Sequence, residues 1–307
     1  MSKPPVLFIM GPTASGKTDL GLAIADKRSV DLISVDSALI YRDMNIGSAK
    51  PDAQTLAAYP HALVDILDPS ASYSAADFVR DATIEIENAH AAGRLPVLVG
   101  GTILYFKALA QGLAQMPQAD PALRAELESQ AHEIGWPAMH ARLTELDPLS
   151  GRRLKPNDAQ RIQRALEVVM LTGRSIESFW EEQSKADSPW DIRPVALMPD
   201  DRSELHRRIA LRFDLMLKQG FQEEVELLRA RGDLHLNMPS MRSVGYRQMW
   251  QFLEGDLSFD EMRERSVIAT RQLAKRQLTW LRGWEGAIKM DPLVDKQALV
   301  DQSLRQI

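Results

Sequence analysis

Gly11-Pro12-Thr13-Ala14-Ser15-Gly16-Lys17-Thr18 is the stretch whose residue types and spacing specify chemistry most directly. Its two glycines let the backbone curl until successive N–H groups face one anion, and a helix beginning there adds the positive end of its dipole. Lys17 supplies a mobile cation for terminal phosphoryl oxygens, and the Thr18 hydroxyl can ligate Mg²⁺. The G-x-x-x-x-G-K-T spacing identifies a phosphate group without naming a nucleotide. Proteins that split ATP or GTP usually end another strand in an acidic residue that holds the magnesium. Here the apolar run Leu95 to Val99 ends in Gly100-Gly101-Thr102. That weakens an ATPase reading and leaves an ATP-dependent small-molecule kinase open, together with an RNA-binding phosphate-loop module.

Two more residues stand where ligand chemistry is expected. Asp36 follows the apolar run Leu32 to Val35, and the carboxyl ends of strands line the ligand crevice of a doubly wound sheet. The competing role for Asp36 is a turn residue in Asp36-Ser37. Thr102 follows two glycines that permit close approach to a ligand, and a plain tight turn is its alternative. Basic residues cluster later: Arg152, Arg153, Lys155, Arg161 and Arg164, then Arg207, Arg208 and Arg212, then Arg242 and Arg247, and finally Arg271, Lys275, Arg276 and Arg282 around Trp280. Any one cluster reads as well as a solvated helix face. Several of them in a chain of net charge -5 suggest positive charge gathered on selected faces, the footprint of RNA or another polyanion.

The elements that must position these groups begin with β-α alternation. Val6 to Met10, Leu32 to Val35, His61 to Leu67 and Leu95 to Val99 read as strands buried on both faces, with helices over Thr18 to Lys27 and Phe78 to His90. From about Gln115 the texture turns to Pro, Ala, Arg and Glu, with helices at Ala122 to Ile134 and Ala159 to Leu171. A strand signal returns at Pro194 to Met198. The capping-box spacing of Ser258 and Glu261 starts a long helix running to about Leu281. The expected fold class is α/β, a P-loop NTPase-like parallel sheet flanked by helices, with a helical insertion domain. The expected division is a catalytic core with C-terminal helices over residues 1–113 and 192–307, and an insertion over 114–191.

The 307-residue chain, 45% hydrophobic and 26% charged, carries enough apolar material for a packed core, which excludes wholesale disorder. With no cysteine, it excludes disulfide scaffolds, iron-sulfur clusters and thiol nucleophiles, and an intracellular address is the simplest reading. The apolar run after the N-terminus is too short for a signal peptide or a membrane span.

These residues resemble one family, the bacterial tRNA dimethylallyltransferases, also called tRNA isopentenyltransferases. The matching blocks are GPTASGKT from Gly11, DSALIYRDMNIGSAKP from Asp36, DPSASYSAADF from Asp68, VGGTILYFKAL from Val99, NDAQRIQRALEV from Asn157, SVGYRQMW from Ser243 and TRQLAKRQLTWLR from Thr270. They lie in order and reach to about Arg282. The resemblance implies transfer of a dimethylallyl group from dimethylallyl pyrophosphate to N6 of the adenosine immediately 3′ of the anticodon, in the tRNA anticodon stem-loop, with Mg²⁺, by a cytoplasmic monomer. The phosphate loop, Gly11, Pro12, Thr13, Ala14, Ser15, Gly16, Lys17 and Thr18, would then hold pyrophosphate, joined by Arg208 or Arg212. Asp36 corresponds to the base that accepts the N6 proton, and Lys17 and Thr102 join it in catalysis. The positions implied for tRNA contact are Asp36, Ser37, Ala38, Leu39, Thr102, Arg124, Gln160, Arg161, Ile162, Gln163, Arg164, Arg242, Ser243, Val244, Gly245, Tyr246 and Arg247. Two positions depart from the family pattern: Ile103 replaces a glycine after Gly-Gly-Thr, and Ala62 replaces a second histidine after His61. The zinc-binding extension of eukaryotic relatives would need cysteines, which this sequence lacks.

Overall fold

The computed structural model describes residues 2–182, 188–293 and 295–306. The chain divides into two compact units, Met1–Ala110 with Ser188–Ile307, and Gln111–Asp187. In chain order the elements are β1 (Pro5–Met10), α1 (Lys17–Ala25), β2 (Val30–Val35), α2 (Ala53–Ala58), β3 (His61–Ala62), α3 (Ala75–Ala91), β4 (Leu95–Gly100) and α4 (Ile103–Gln111). Then come α5 (Pro121–Ile134), α6 (Trp136–Leu146), α7 (Pro148–Arg153), α8 (Ala159–Thr172) and α9 (Ile176–Glu182) of the second unit. The first unit resumes with β5 (Asp191–Leu197), α10 (Arg202–Lys218), α11 (Phe221–Ala230), α12 (Tyr246–Leu253), α13 (Phe259–Arg282), β6 (Ile288–Met290) and α14 (Lys296–Leu304).

All strand pairs are parallel, in the order β3-β2-β4-β1-β5-β6. β1 and β4 are interior and covered on both faces, which is why their sequences are continuous apolar runs rather than alternations. One face packs Phe8, Phe78, Ile86 and Phe106 beneath α3 and α4. The other packs Leu7, Ile9, Leu20, Ile24 and Leu299 beneath α1 and α14. Helices α10 to α13 build a separate core around Ile209, Phe213, Phe221, Tyr246 and Met249. In the second unit Leu127, Met139, Leu143, Ile162 and Leu166 form the core. The Ser258 capping box is made in both directions, the Ser258 amide to Glu261 at 2.9 Å and the Glu261 amide to Ser258 Oγ at 3.3 Å, so α13 starts where the spacing predicts.

Three expectations change. The run His61 to Leu67 yields only the two-residue β3, because Leu63 and Asp65 turn the chain with φ of 62° and 55°. β5 starts at Asp191 rather than Pro194. Its Pro194 is tolerated because β6 pairs only with Val195 to Leu197 and leaves that side of the strand open. The compact second unit spans 111–187 instead of 114–191, and Trp190 packs in the core of the first. Among the described residues, no helix is long and apolar enough to cross a membrane.

Candidate active site

Strand register brings the site together. Gly100 pairs with Met10 on one side and with Val35 on the other, so Gly11, Asp36 and Gly101 leave the sheet at one level. At Gly11 a Cβ would lie 2.5 Å from Ser15 Oγ and 3.2 Å from Leu197 Cβ, too close for any side chain. Gly16 caps α1 at φ 81° with no side-chain hydrogen bond, which leaves the first amides of α1 for an anion. Lys17 Nζ donates to the Pro12 carbonyl at 3.3 Å. Burial pulls its pKa down to about 8, opposed by the carboxylate of Asp36 and reinforced by the guanidinium of Arg212. Arg212, on α10, donates to Thr13 Oγ1, and burial lowers its pKa too while Asp36 opposes. The nearby Arg212 guanidinium thus disfavours the Lys17 ammonium until an anion arrives. Lys17, Asp36, Thr102 and Arg212 line one cleft of about 570 Å³.

Asp36 Oδ1 accepts the Ala38 amide at 2.9 Å, so the residue does hold its own turn while facing the cleft. Thr102 Oγ1 accepts the Ser37 amide at 3.1 Å and braces that turn from the end of β4. Two residues that sequence reasoning did not single out hold the rest. Gln277, buried on α13, accepts the Thr13 amide at 3.0 Å and donates to the Gly101 carbonyl at 2.9 Å, tying the phosphate loop to the Gly-Gly-Thr turn. Glu224 on α11 accepts three consecutive amides, Asn45 at 2.8 Å, Ile46 at 2.7 Å and Gly47 at 3.1 Å, and the Tyr246 hydroxyl at 2.6 Å. It thereby fixes the loop after Met44, whose Gly47 and Ser48 line the cleft.

The remaining expected residues fall into distinct places. Arg208 pairs with Glu204 at 3.0 Å and does not line the cleft, whereas Arg212 does. Thr18 sits in the first turn of α1 beside Lys17. Ser37, Ala38, Arg242, Ser243, Val244 and Gly245 line the cleft; Leu39 is half-buried and Arg247 exposed. Tyr246 also borders the cleft while packing in the core of α10 to α13, and Ile162 is buried in the core of the second unit. In the second unit Gln160 and Arg161 are exposed, and Gln163 donates to Glu128 at 3.0 Å. Arg124 grips the buried Glu167 at 3.0 and 3.1 Å, and Arg164 pairs with the same carboxylate. Burial raises the pKa of Glu167, but its two arginines and the Asp120 amide more than offset this and hold it below the usual carboxylate range. Ile103, the departure beside Thr102, is buried and contributes to the cleft wall.

A family model described as IPP transferase matches residues 39–284. The chain is 59% identical over 284 residues to a tRNA dimethylallyltransferase of Janthinobacterium sp. (strain Marseille), covering 92% of this chain and 90% of that one. The crystal structure of the full-length tRNA isopentenylpyrophosphate transferase of Bacillus halodurans is similar over 99% of this chain and 95% of its own, with 34% identity and a TM-score of 0.72. A eukaryotic dimethylallyltransferase acting on tRNA is similar over 98% of this chain and 77% of its own, with 25% identity and a TM-score of 0.79.

Proposed function

The chain belongs to the IPP transferase family, and on that premise we propose that its cleft joins a dimethylallyl group to N6 of the adenosine immediately 3′ of the anticodon. The protein transfers the dimethylallyl group of dimethylallyl pyrophosphate to tRNA, and the kinase alternative has no support in its family. The observation that carries the site reading is the convergence of Lys17 and Arg212 on the cleft that Asp36 lines.

The pyrophosphate sits on the phosphate loop against the uncapped first amides of α1, with Lys17 and Arg212 as its cations. An allylic C–O bond breaks with positive charge spreading over the hydrocarbon and negative charge gathering on the leaving oxygens, so cations and amides fixed there stabilise the transition state more than the ground state. The adenine amine is a weak nucleophile because its lone pair is conjugated with the ring. As N6 bonds to the carbon, the C–O electron pair leaves with pyrophosphate and the N6 proton passes to Asp36, which holds its turn through Oδ1. Thr102 keeps that carboxylate aimed by bracing Ser37. The target base must leave its stack, at a cost of about a few kcal/mol that contacts from exposed Gln160, Arg161 and Arg242 offset.

Among the described residues, no group of three His, Asp or Glu gathers to hold a metal. The oxygen donor the phosphate loop offers is the Thr18 hydroxyl in the first turn of α1, which suits a Mg²⁺ ligated mainly by water and substrate phosphate. Thr18 would hold it, and it would neutralise charge on the leaving group. We take the enzyme to act in the cytoplasm as a monomer. The test is incubation with unmodified tRNA and either carbon-labelled dimethylallyl pyrophosphate or γ-phosphate-labelled ATP. Label from the first in an N6-modified adenosine, and none transferred from the second, is expected; transfer of the ATP label would contradict the reading.

A further inference from the structure

Arg212 and Met216 lie one helical turn apart on α10, and each borders two cavities. One is the catalytic cleft. The other, about 530 Å³, is bordered by the apolar Ile46, Ala49, Pro51, Leu56 and Leu215 and also by the polar Asn45, Lys50, Asp52, Asp65 and Gln219. Among the described residues, only Arg212 and Met216 border both.

We propose that Met216 sets the length of the transferred prenyl group by closing the hydrocarbon end of the cleft, and that the chamber behind it receives the second isoprene unit of a ten-carbon donor once the Met216 side chain is cut back. The inference rests on the reading that Lys17 and Arg212 hold the pyrophosphate. Ile209, Arg212, Phe213 and Met216 recur at the spacing of one helix face, and all four line the cleft. A donor whose pyrophosphate is gripped by Arg212 lays its hydrocarbon along this apolar stripe, and Met216 lies about 6 Å further along the helix axis. A five-carbon chain spans that distance and a ten-carbon chain exceeds it.

Phe213 and Met216 are only 5% and 7% exposed, so the wall is packed rather than open. Its aromatic part is braced: Phe213 meets Phe221 edge-on at 6.0 Å, and Phe221 meets Tyr246 edge-on at 5.1 Å. Met216 differs in being an unbranched, adaptable side chain with empty space on its far side. Of the two shared residues it is the apolar one, so it is where hydrocarbon would break through.

The experiment measures kcat/KM on unmodified tRNA for dimethylallyl and geranyl pyrophosphate, using the full chain and its Met216→Ala, Met216→Val and Met216→Leu variants. Met216→Ala is expected to raise the geranyl-to-dimethylallyl ratio by about 10 to 200-fold, with Val intermediate and the volume-preserving Leu at the wild-type ratio. A folded Ala or Val variant whose ratio stays at the wild-type value overturns the proposal. Inorganic pyrophosphate inhibition, run alongside, separates the two levels. If it does not compete with dimethylallyl pyrophosphate in the wild type, the anion-site reading fails and takes this proposal with it. If it competes equally in every variant while the ratio is unmoved, only the role of Met216 is lost.

Discussion

Burial lowers the pKa of Lys17 to about 8, so the ammonium that an anion needs disappears above that pH instead of near the ordinary lysine value. The inhibition constant of inorganic pyrophosphate should therefore rise with pH above about 8, by up to about tenfold per unit. Lys17→Arg keeps its charge throughout, and comparing the two from about pH 7 to about pH 9.5 removes the titration of pyrophosphate itself. A second expectation separates neighbouring arginines. Arg212→Ala should weaken pyrophosphate binding by about 2 kcal/mol or more, whereas Arg208→Ala, which loses only a surface pair, should change it by less than about 0.5 kcal/mol. Both constants come from competition with labelled dimethylallyl pyrophosphate. At this scale the phosphate loop, Asp36 and Thr102 were legible in the sequence because each ends a strand or opens a helix with a recognisable residue type. Arg208 and Arg212 were not separable, since residues four apart share a helix face and only the fold shows that one meets Glu204 and the other Thr13.

Elements matter here as carriers of distant brackets. Gln277 lies 264 positions from Thr13 and 176 from Gly101, yet one buried amide on α13 serves both. Replacing it by Met would leave the Thr13 amide and the Gly101 carbonyl without their partner, at about 1 to 3 kcal/mol each. Denaturant unfolding should show the stability loss. Single-turnover transfer should fall along with it, because the phosphate loop and the Thr102 turn would no longer be tied. No local pattern announces such a glutamine, and the same holds for Glu224, whose three amide partners are some 180 positions away. Strands were legible in proportion to their burial. β1, β2 and β4 are apolar runs, while the three-residue edge strand β6, Ile288-Lys289-Met290, is too short to carry a period. The truncation of β3 depends on positive φ at Leu63 and Asp65, neither of which is a glycine or an asparagine.

For the whole molecule, a net charge of -5 makes tRNA binding a matter of where positive charge is left free. In the second unit Glu167 consumes Arg124 and Arg164, while the exposed Arg161 on α8 pairs with the half-buried Asp158 at 3.0 Å. Arg161→Ala should lower the slope of log affinity for tRNA against log salt by about one unit and leave pyrophosphate inhibition unchanged, as read by filter binding over a salt series. An unaltered slope would mark Arg161 as a solvated helix face. The central claim, however, is that one cleft both holds the leaving pyrophosphate and takes the proton from N6, and the most direct test is Asp36→Asn. Asparagine keeps the shape and the oxygen that accepts the Ala38 amide, so the turn survives while the base is removed. Single-turnover transfer at saturating tRNA and dimethylallyl pyrophosphate, with the binding of each measured separately, should fall by about 10² to 10⁴ with both affinities kept. Transfer at the wild-type rate would contradict the account and leave Asp36 as a turn residue.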